Sequence, residues 1–345
     1  MAQRNRPAEN DAGDRRSEPC PQPTPNPSEP AVRFPDNAIM TVRFSCRCPN
    51  ADYLGFEAAP EAIIASAAKA EELGFDAVFV NDHIIVDSST RSAPWANTYD
   101  PLIALSFIAA NTTRIGLGVS VLIVPYRNPI ATAKMLATID RMSGGRLIAG
   151  VGAGWNEAEF NALGVPFHER GARTTEYLRV WQACWAPGEV SFSGRFVSFA
   201  DMHVNPKPLQ RPHPPLWVGG ASDAALRRAA VFAEVWQPTP TPVAGLVERQ
   251  ASLRQACERI GRQHSPEIRM SFRVELGSIT GNKPPSGAER QIGHGTPAEV
   301  AADLLRYREV AGVNAFQINF HGNRDLGQLL DSMDCFMREV KPLVV

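Results

Sequence analysis

Two apolar, glycine-rich runs flank one amphipathic segment in residues 115–159, and this stretch limits the chain more than any other. Residues 115–124 are a run of Gly and mostly β-branched residues and read as a strand buried on both faces. Pro125 stops that run. Pro129 opens a helix whose apolar positions Ile130, Ala133, Met135, Leu136 and Ile139 recur near a 3.6 period. Gly144-Gly145 ends the helix, and a second apolar run over 147–151 follows at once. Strand, helix and strand in that order form a parallel unit, and parallel α/β folds bind ligands at the carboxyl ends of their strands.

The same alternation runs along most of the chain. Helices are expected over 60–73, 100–111, 170–185, 222–230, 243–260, 297–311 and 326–339, with strands at 41–44, 75–80, 215–218, 235–237, 268–279 and 315–319. Residues 190–199 read as a hairpin turning at Ser193-Gly194. Eight strands with as many helices favour a single α/β (β/α)8 TIM barrel over a doubly wound sheet. Residues 156–214 exceed what one connecting helix needs, so they are expected to hold an insertion over the carboxyl-end mouth. Residues 1–39 are rich in Pro and almost free of large apolar side chains, which predicts a disordered tail before a barrel domain at 40–345. Arg15-Arg16 is followed by no apolar core, so export is not expected.

Bulk composition excludes several classes. The 35 Lys and Arg nearly balance the 36 Asp and Glu, so nothing suggests a nucleic-acid or membrane surface. No apolar run approaches the ~20 residues of a membrane helix. Among six Cys only Cys46 and Cys48 lie close, and the seven His are dispersed, so no metal site is expected. Reduced structural thiols in a cytoplasmic protein fit this usage.

Chemistry is expected where strands end. Asn81-Asp82-His83 directly follows the strand that closes at Val80, and an adjacent carboxylate can hold an imidazole for proton transfer. Residues 118–121 (GVSV) put Gly inside a buried strand, which needs a bulge, a close ligand or tight wall packing. Residues 150–155 (GVGAGW) lack the G-x-G-x-x-G spacing of a dinucleotide fold, so the Gly-rich turn, with Gly152 and Gly154, suits something planar close to the backbone. Residues 219–222 (GGAS) end a strand and open a helix, so Gly219, Gly220, Ala221 and Ser222 could cradle a phosphate. Trp155 and Glu157 are candidates for the substrate pocket.

Together LGFDAVFVNDH (73–83), TRIGLGVSVLIVPYRNP (113–129), MSGGRLIAGVGAGWNEAEF (142–160) and LWVGGAS (216–222) resemble the luciferase-like flavin- and deazaflavin-dependent oxidoreductases. The resemblance covers nearly all of residues 41–340. It implies a (β/α)8 barrel, His83 as the catalytic histidine and Asp82 contacting or orienting the cofactor. It also implies a non-proline cis peptide at Ser120-Val121 against the cofactor ring, and phosphate at Gly219, Gly220 and Ser222. Ala153 replaces a phosphate-binding Arg of bacterial luciferase, and Trp155 replaces a Glu of deazaflavin-dependent sugar-phosphate dehydrogenases. The pattern is most like the coenzyme F420-dependent branch.

The expected activity is hydride transfer between coenzyme F420 and an organic small molecule. Two alternatives stand beside it. One is an FMNH2-dependent monooxygenase using O2 with a separate flavin reductase; the other is a flavin- or deazaflavin-binding barrel without turnover. A homodimer and a flavin or F420 reductase as partner are expectations from the family.

Overall fold

The computed structural model describes residues 42–89, 92–282 and 290–345. The tail expected at 1–39 lies outside the described residues. Strand β1 (Arg43–Arg47) pairs in parallel with β2 (Ala77–Val80), and β2 with β3 (Gly116–Val119). A two-residue strand β4 (Leu122–Ile123) continues the line of β3, and both pair with β5 (Leu147–Gly152). Beyond the hairpin β6 (Val190–Ser193) and β7 (Ser198–Met202), the parallel order runs through β8 (Leu216–Gly219), β9 (Val235–Gln237) and β10 (Glu267–Leu276). A short β11 (His294–Gly295) edges β10, and β12 (Ala315–Phe320) pairs with both β10 and β1. The ring therefore closes on eight parallel strands, β1-β2-β3-β5-β8-β9-β10-β12, which is the expected TIM barrel.

The connecting helices start and stop where local chemistry says they should. Helix α1 (Pro60–Leu73) ends on Gly74 at φ 77°, which returns the chain to the sheet in the left-handed region. Helix α2 (Pro101–Asn111) is capped by Asp100, whose side chain accepts the Leu102 and Ile103 N–H groups. Asn128 caps α3 (Pro129–Met142) in the same way. Between β5 and β8 lie α4 (Glu157–Ala162) and α5 (Arg170–Trp185). Further helices are α6 (Asp223–Phe232), α7 (Val243–Arg259), a single turn α8 (Gly277–Thr280), α9 (Pro297–Ala311) and α10 (Leu326–Cys335), which runs on through a π-helical turn (Phe336–Val340) into α11 (Lys341–Val344). None of these is long and apolar enough to cross a membrane, and the five described cysteines are buried and unbridged.

Three local readings change. The strand expected over 115–124 is broken at residues 120–121, because a cis peptide between Ser120 and Val121 turns the backbone out of the ladder. The hairpin does not turn at Ser193-Gly194: Ser193 pairs with Ser198, and the turn is residues 194–197. Glu176 on α5 sets that longer loop, since its carboxylate accepts three consecutive N–H groups, from Arg195, Phe196 and Val197. The long connection also divides. Residues 156–169 sit at the mouth, whereas the hairpin packs along α5.

The lower barrel is filled with rings. Phe79 and Trp217 lie 5.0 Å apart, and the Arg269 guanidinium covers Trp217 at 4.3 Å. Gly118 exists for this packing, because a Cβ there would come within 2.2 Å of the Phe79 ring. That decides between wall packing and ligand space at Gly118 in favour of the wall. The polar layer of the barrel interior begins two residues higher, at Ser120.

Candidate active site

His83 leaves the end of β2 with its Nδ1 2.9 Å from Oε2 of Glu159 on α4. Tyr126 donates its hydroxyl to the same oxygen at 2.8 Å, and the Ile84 N–H reaches Oε1 at 2.6 Å. Glu159 is 1 % exposed. Burial raises its pKa, but the hydrogen bonds from His83, Ile84 and Tyr126 outweigh it and hold Glu159 below the usual carboxylate range. Burial and then the Glu159 charge push the Tyr126 phenol up, so it remains a donor. The imidazole is also stacked on Trp95 at 5.1 Å and meets Trp155 edge-on at 5.9 Å.

Asp82 does not hold His83, and it does not face the cavity. Successive side chains at a strand end point to opposite sides, and Asp82 turns into the wall. There both of its oxygens bind the Arg127 guanidinium, at 2.7 and 2.8 Å, and Oδ2 accepts the Ile123 N–H at 2.8 Å. Arg127 also reaches Asp100 at 2.8 Å. Burial works against the Arg127 charge, but the two carboxylates push its pKa up. Asp82 is therefore a positioning group that anchors β4 rather than a cofactor contact.

At the break between β3 and β4, Ser120 and Val121 face different things. The Ser120 hydroxyl accepts from Arg47 at 3.0 Å and from Gln237 at 2.9 Å, inside the barrel. Val121 points to the wall of a cavity. A Cβ at Gly152 would lie 2.5 Å from a Val121 methyl, and one at Gly219 would lie 2.7 Å from the other. Gly150 is needed beside them, since its Cβ would fall 2.0 Å from the Val119 carbonyl oxygen. These glycines make room for the bulge. Gly154, at φ 80°, instead clears Phe160 and Ile123.

The cavity has a volume of about 440 Å³, and Val121, Gly152, Gly154, Trp155, Gly219, Gly220 and Ser222 line it. Ala221 is not among its lining residues, and neither is His83, which stands beside Trp155. Glu157 is exposed: two residues apart on a helix is a 200° rotation, so with Glu159 inside it must face out. Its assignment to the substrate pocket is thus corrected: it is Glu159, not Glu157, that turns inward, to His83.

The end of the cavity where a phosphate is expected carries more than the sequence suggested. Ser222 caps α6, its hydroxyl accepting the Ala225 N–H at 3.2 Å, so the first amides of α6 open onto the cavity. Arg228 and Arg170 line the same space. Arg228 is 8 % exposed, yet among the described residues it makes no hydrogen bond or ion pair. Burial, then Arg227 and Arg170, lowers its pKa, so the cation lacks a counter-charge. A clue lay in the spacing: Ala224 and Ala225 are small, and Arg228 is one turn further along the same face. With backbone-lined walls, a helix N-terminus and a buried cation, the cavity fits a planar ring system bearing an anion. No cluster of three or more His, Cys, Asp or Glu side chains among the described residues could hold a metal.

Residues 40–278 match the profile of the family described as luciferase-like monooxygenase. An uncharacterised protein of Mycobacterium tuberculosis is 34% identical over 217 residues, covering 59% of this chain and 76% of the relative. An FMNH2-dependent dimethylsulfone monooxygenase of Pseudomonas putida is 34% identical over 161 residues, 46% of this chain and 44% of the relative. Among solved structures, an F420-dependent secondary alcohol dehydrogenase in complex with an F420-acetone adduct superposes with TM-score 0.73 at 18% identity, over 89% of this chain and 100% of that one.

Proposed function

Because the chain belongs to the luciferase-like monooxygenase family, we propose that it is an oxidoreductase moving a hydride between coenzyme F420 and an organic substrate. When bound, the deazaflavin supplies the hydride chemistry. The observation that carries the reading is the His83–Glu159 contact beside Trp155.

Glu159 is held ionised, so it can only accept, and the proton of His83 therefore sits on Nδ1. That leaves Nε2 as the atom that takes a proton from a substrate hydroxyl, or returns one to a carbonyl. Trp95 and Trp155 cover the imidazole and keep it from bulk water. Phosphate would be held by the amides at the start of α6, by the Ser222 hydroxyl and by Arg228 and Arg170. Gly152, Gly154 and the Val121 side chain would lie against the ring. A separate reductase and a homodimer belong to the same reading.

One observation favours a second reading. The Pseudomonas putida relative is an FMNH2-dependent monooxygenase, so reduced FMN from a separate reductase, with O2 as co-substrate, is the alternative. Titration of the purified protein with F420 and with FMN, followed by fluorescence, tests the assignment. Tight binding of FMN and oxygen consumption with its reduced form, with no binding of the deazaflavin, would reject the F420 reading.

A further inference from the structure

A second opening joins the cavity on its far side. It is a cleft of about 430 Å³ between α5 and α6, and it shares Gly171, Ala224 and Arg228 with the first cavity. Arg179 and Thr175 on α5 and Arg227 on α6 line it. No carboxylate is among its lining residues. Neither Arg179 nor Arg227 makes a hydrogen bond or ion pair among the described residues; Asp223 at the start of α6 is taken by Arg249, at 2.7 Å, and Glu176 on α5 by the hairpin backbone. Arg228 stands at the junction, buried and also without a partner.

Three guanidinium groups left without counter-charges along one cleft form a track for negative charge, not a solvated rim in which acids and bases alternate. The track begins where the phosphate of a bound cofactor would end. A ligand stopping at a phosphate monoester would satisfy Arg228 and the α6 amides and leave Arg179 and Arg227 unmatched.

We propose that the cleft between α5 and α6 binds a carboxylate-bearing chain extending from the cofactor phosphate. The inference rests on the F420 reading above and deepens it. The phosphate of coenzyme F420 is a diester that continues into a glutamyl chain, whereas FMN ends at its phosphate. The cleft thus selects between the two cofactors at a distance from the ring. Arg179 and Arg227 are exposed on their helices, so replacing them leaves the barrel core untouched.

The test compares affinities, read by fluorescence, for the F420 form lacking glutamyl residues, the forms bearing two or more, and FMN. Each is measured on the full chain and on an R179A/R227A variant, with R179K/R227K as the charge-conserving control. Two exposed charge pairs together give a preference of about tenfold for the glutamylated forms. This preference is expected to shrink with added salt, to vanish in the Ala variant and to persist in the Lys variant. Equal affinity of the wild-type chain for glutamylated and tail-less forms overturns the cleft assignment while leaving the F420 reading standing. Binding of FMN with neither deazaflavin form bound overturns both.

Discussion

Oε2 of Glu159 lies 2.9 Å from Nδ1 of His83, across 76 residues of chain and two different βα connections. This contact, rather than the one between neighbours Asp82 and His83, organises the candidate site. It engages Nδ1 and leaves Nε2 for the proton transfer proposed above, so each expectation about that step depends on it.

Replacing His83 with Ala removes the proton-handling group but not the cavity walls. Turnover is expected to fall by about 10²- to 10⁴-fold, with cofactor affinity changed far less. Steady-state kinetics alongside a binding titration read both; unchanged turnover would exclude His83 from the reaction.

Glu159→Gln puts an amide where a pure acceptor meets two donors, the His83 Nδ1–H and the Tyr126 hydroxyl. Turnover should drop about 10- to 100-fold, the worth of one charged hydrogen bond at ~1.5–3 kcal/mol. The pH dependence has a definite sign. The folded pKa of Glu159 is depressed, so its contribution to stability is present above the unfolded value of about 4.3 and fades as pH falls through the folded value. The gap in denaturation midpoint between wild type and Glu159→Gln should be level from neutral pH down to about 4.3 and close below it. A gap that widened in acid would contradict the assignment.

Gly219→Ala would set a methyl 2.7 Å from Val121. Overpacking of this kind costs about 1–3 kcal/mol. Adding Val121→Ala removes the methyl it strikes and should recover most of the loss. Failure of the double variant to recover would mean that something other than Val121 requires the glycine.

Asp82→Asn leaves Arg127 buried with a weakened partner, and breaking such a pair costs about 3–5 kcal/mol. Thermal unfolding should show this loss, because the same oxygen also anchors the Ile123 amide. A change within error would place Asp82 outside the fold's framework.

Arg228→Met exchanges an uncompensated buried cation for an apolar side chain of similar length. The cofactor-free protein should unfold at a higher temperature, since an unpaired buried charge is costly. Binding of phosphate-bearing cofactors should weaken by about tenfold or more, and binding of the phosphate-free ring compounds should not. Equal weakening of both would place Arg228 away from the phosphate.

These outcomes separate what was legible in the chain from what was not. Strand ends and helix caps are local, set by residues within a few positions, so Pro, Gly and Asx signals located them. The cis peptide at Ser120-Val121 was legible only through the family resemblance, since periodicity alone runs one strand through it. The partner of His83 is not local. A carboxylate next door in sequence suggested Asp82, but strand alternation turned it into the wall, and the carboxylate that meets the imidazole came from α4. Glu157 and Glu159 were indistinguishable by composition, and only the angle at which α4 docks on the mouth chose between them. Arg228 was hidden for another reason: an arginine without a partner cannot be told from a paired one until its surroundings are known.

Arg127 holds Asp82, at the end of β2, and Asp100, at the cap of α2, with one guanidinium. The chain between those two carboxylates carries Trp95 to the imidazole. Its ends are thus tied together independently of whatever lies between them. For a loop closed in this way, doubling the length costs only about 0.6 kcal/mol of closure entropy. Changes of length near Trp95, beyond the Ile84 amide that holds Glu159, are accordingly expected to cost the barrel little.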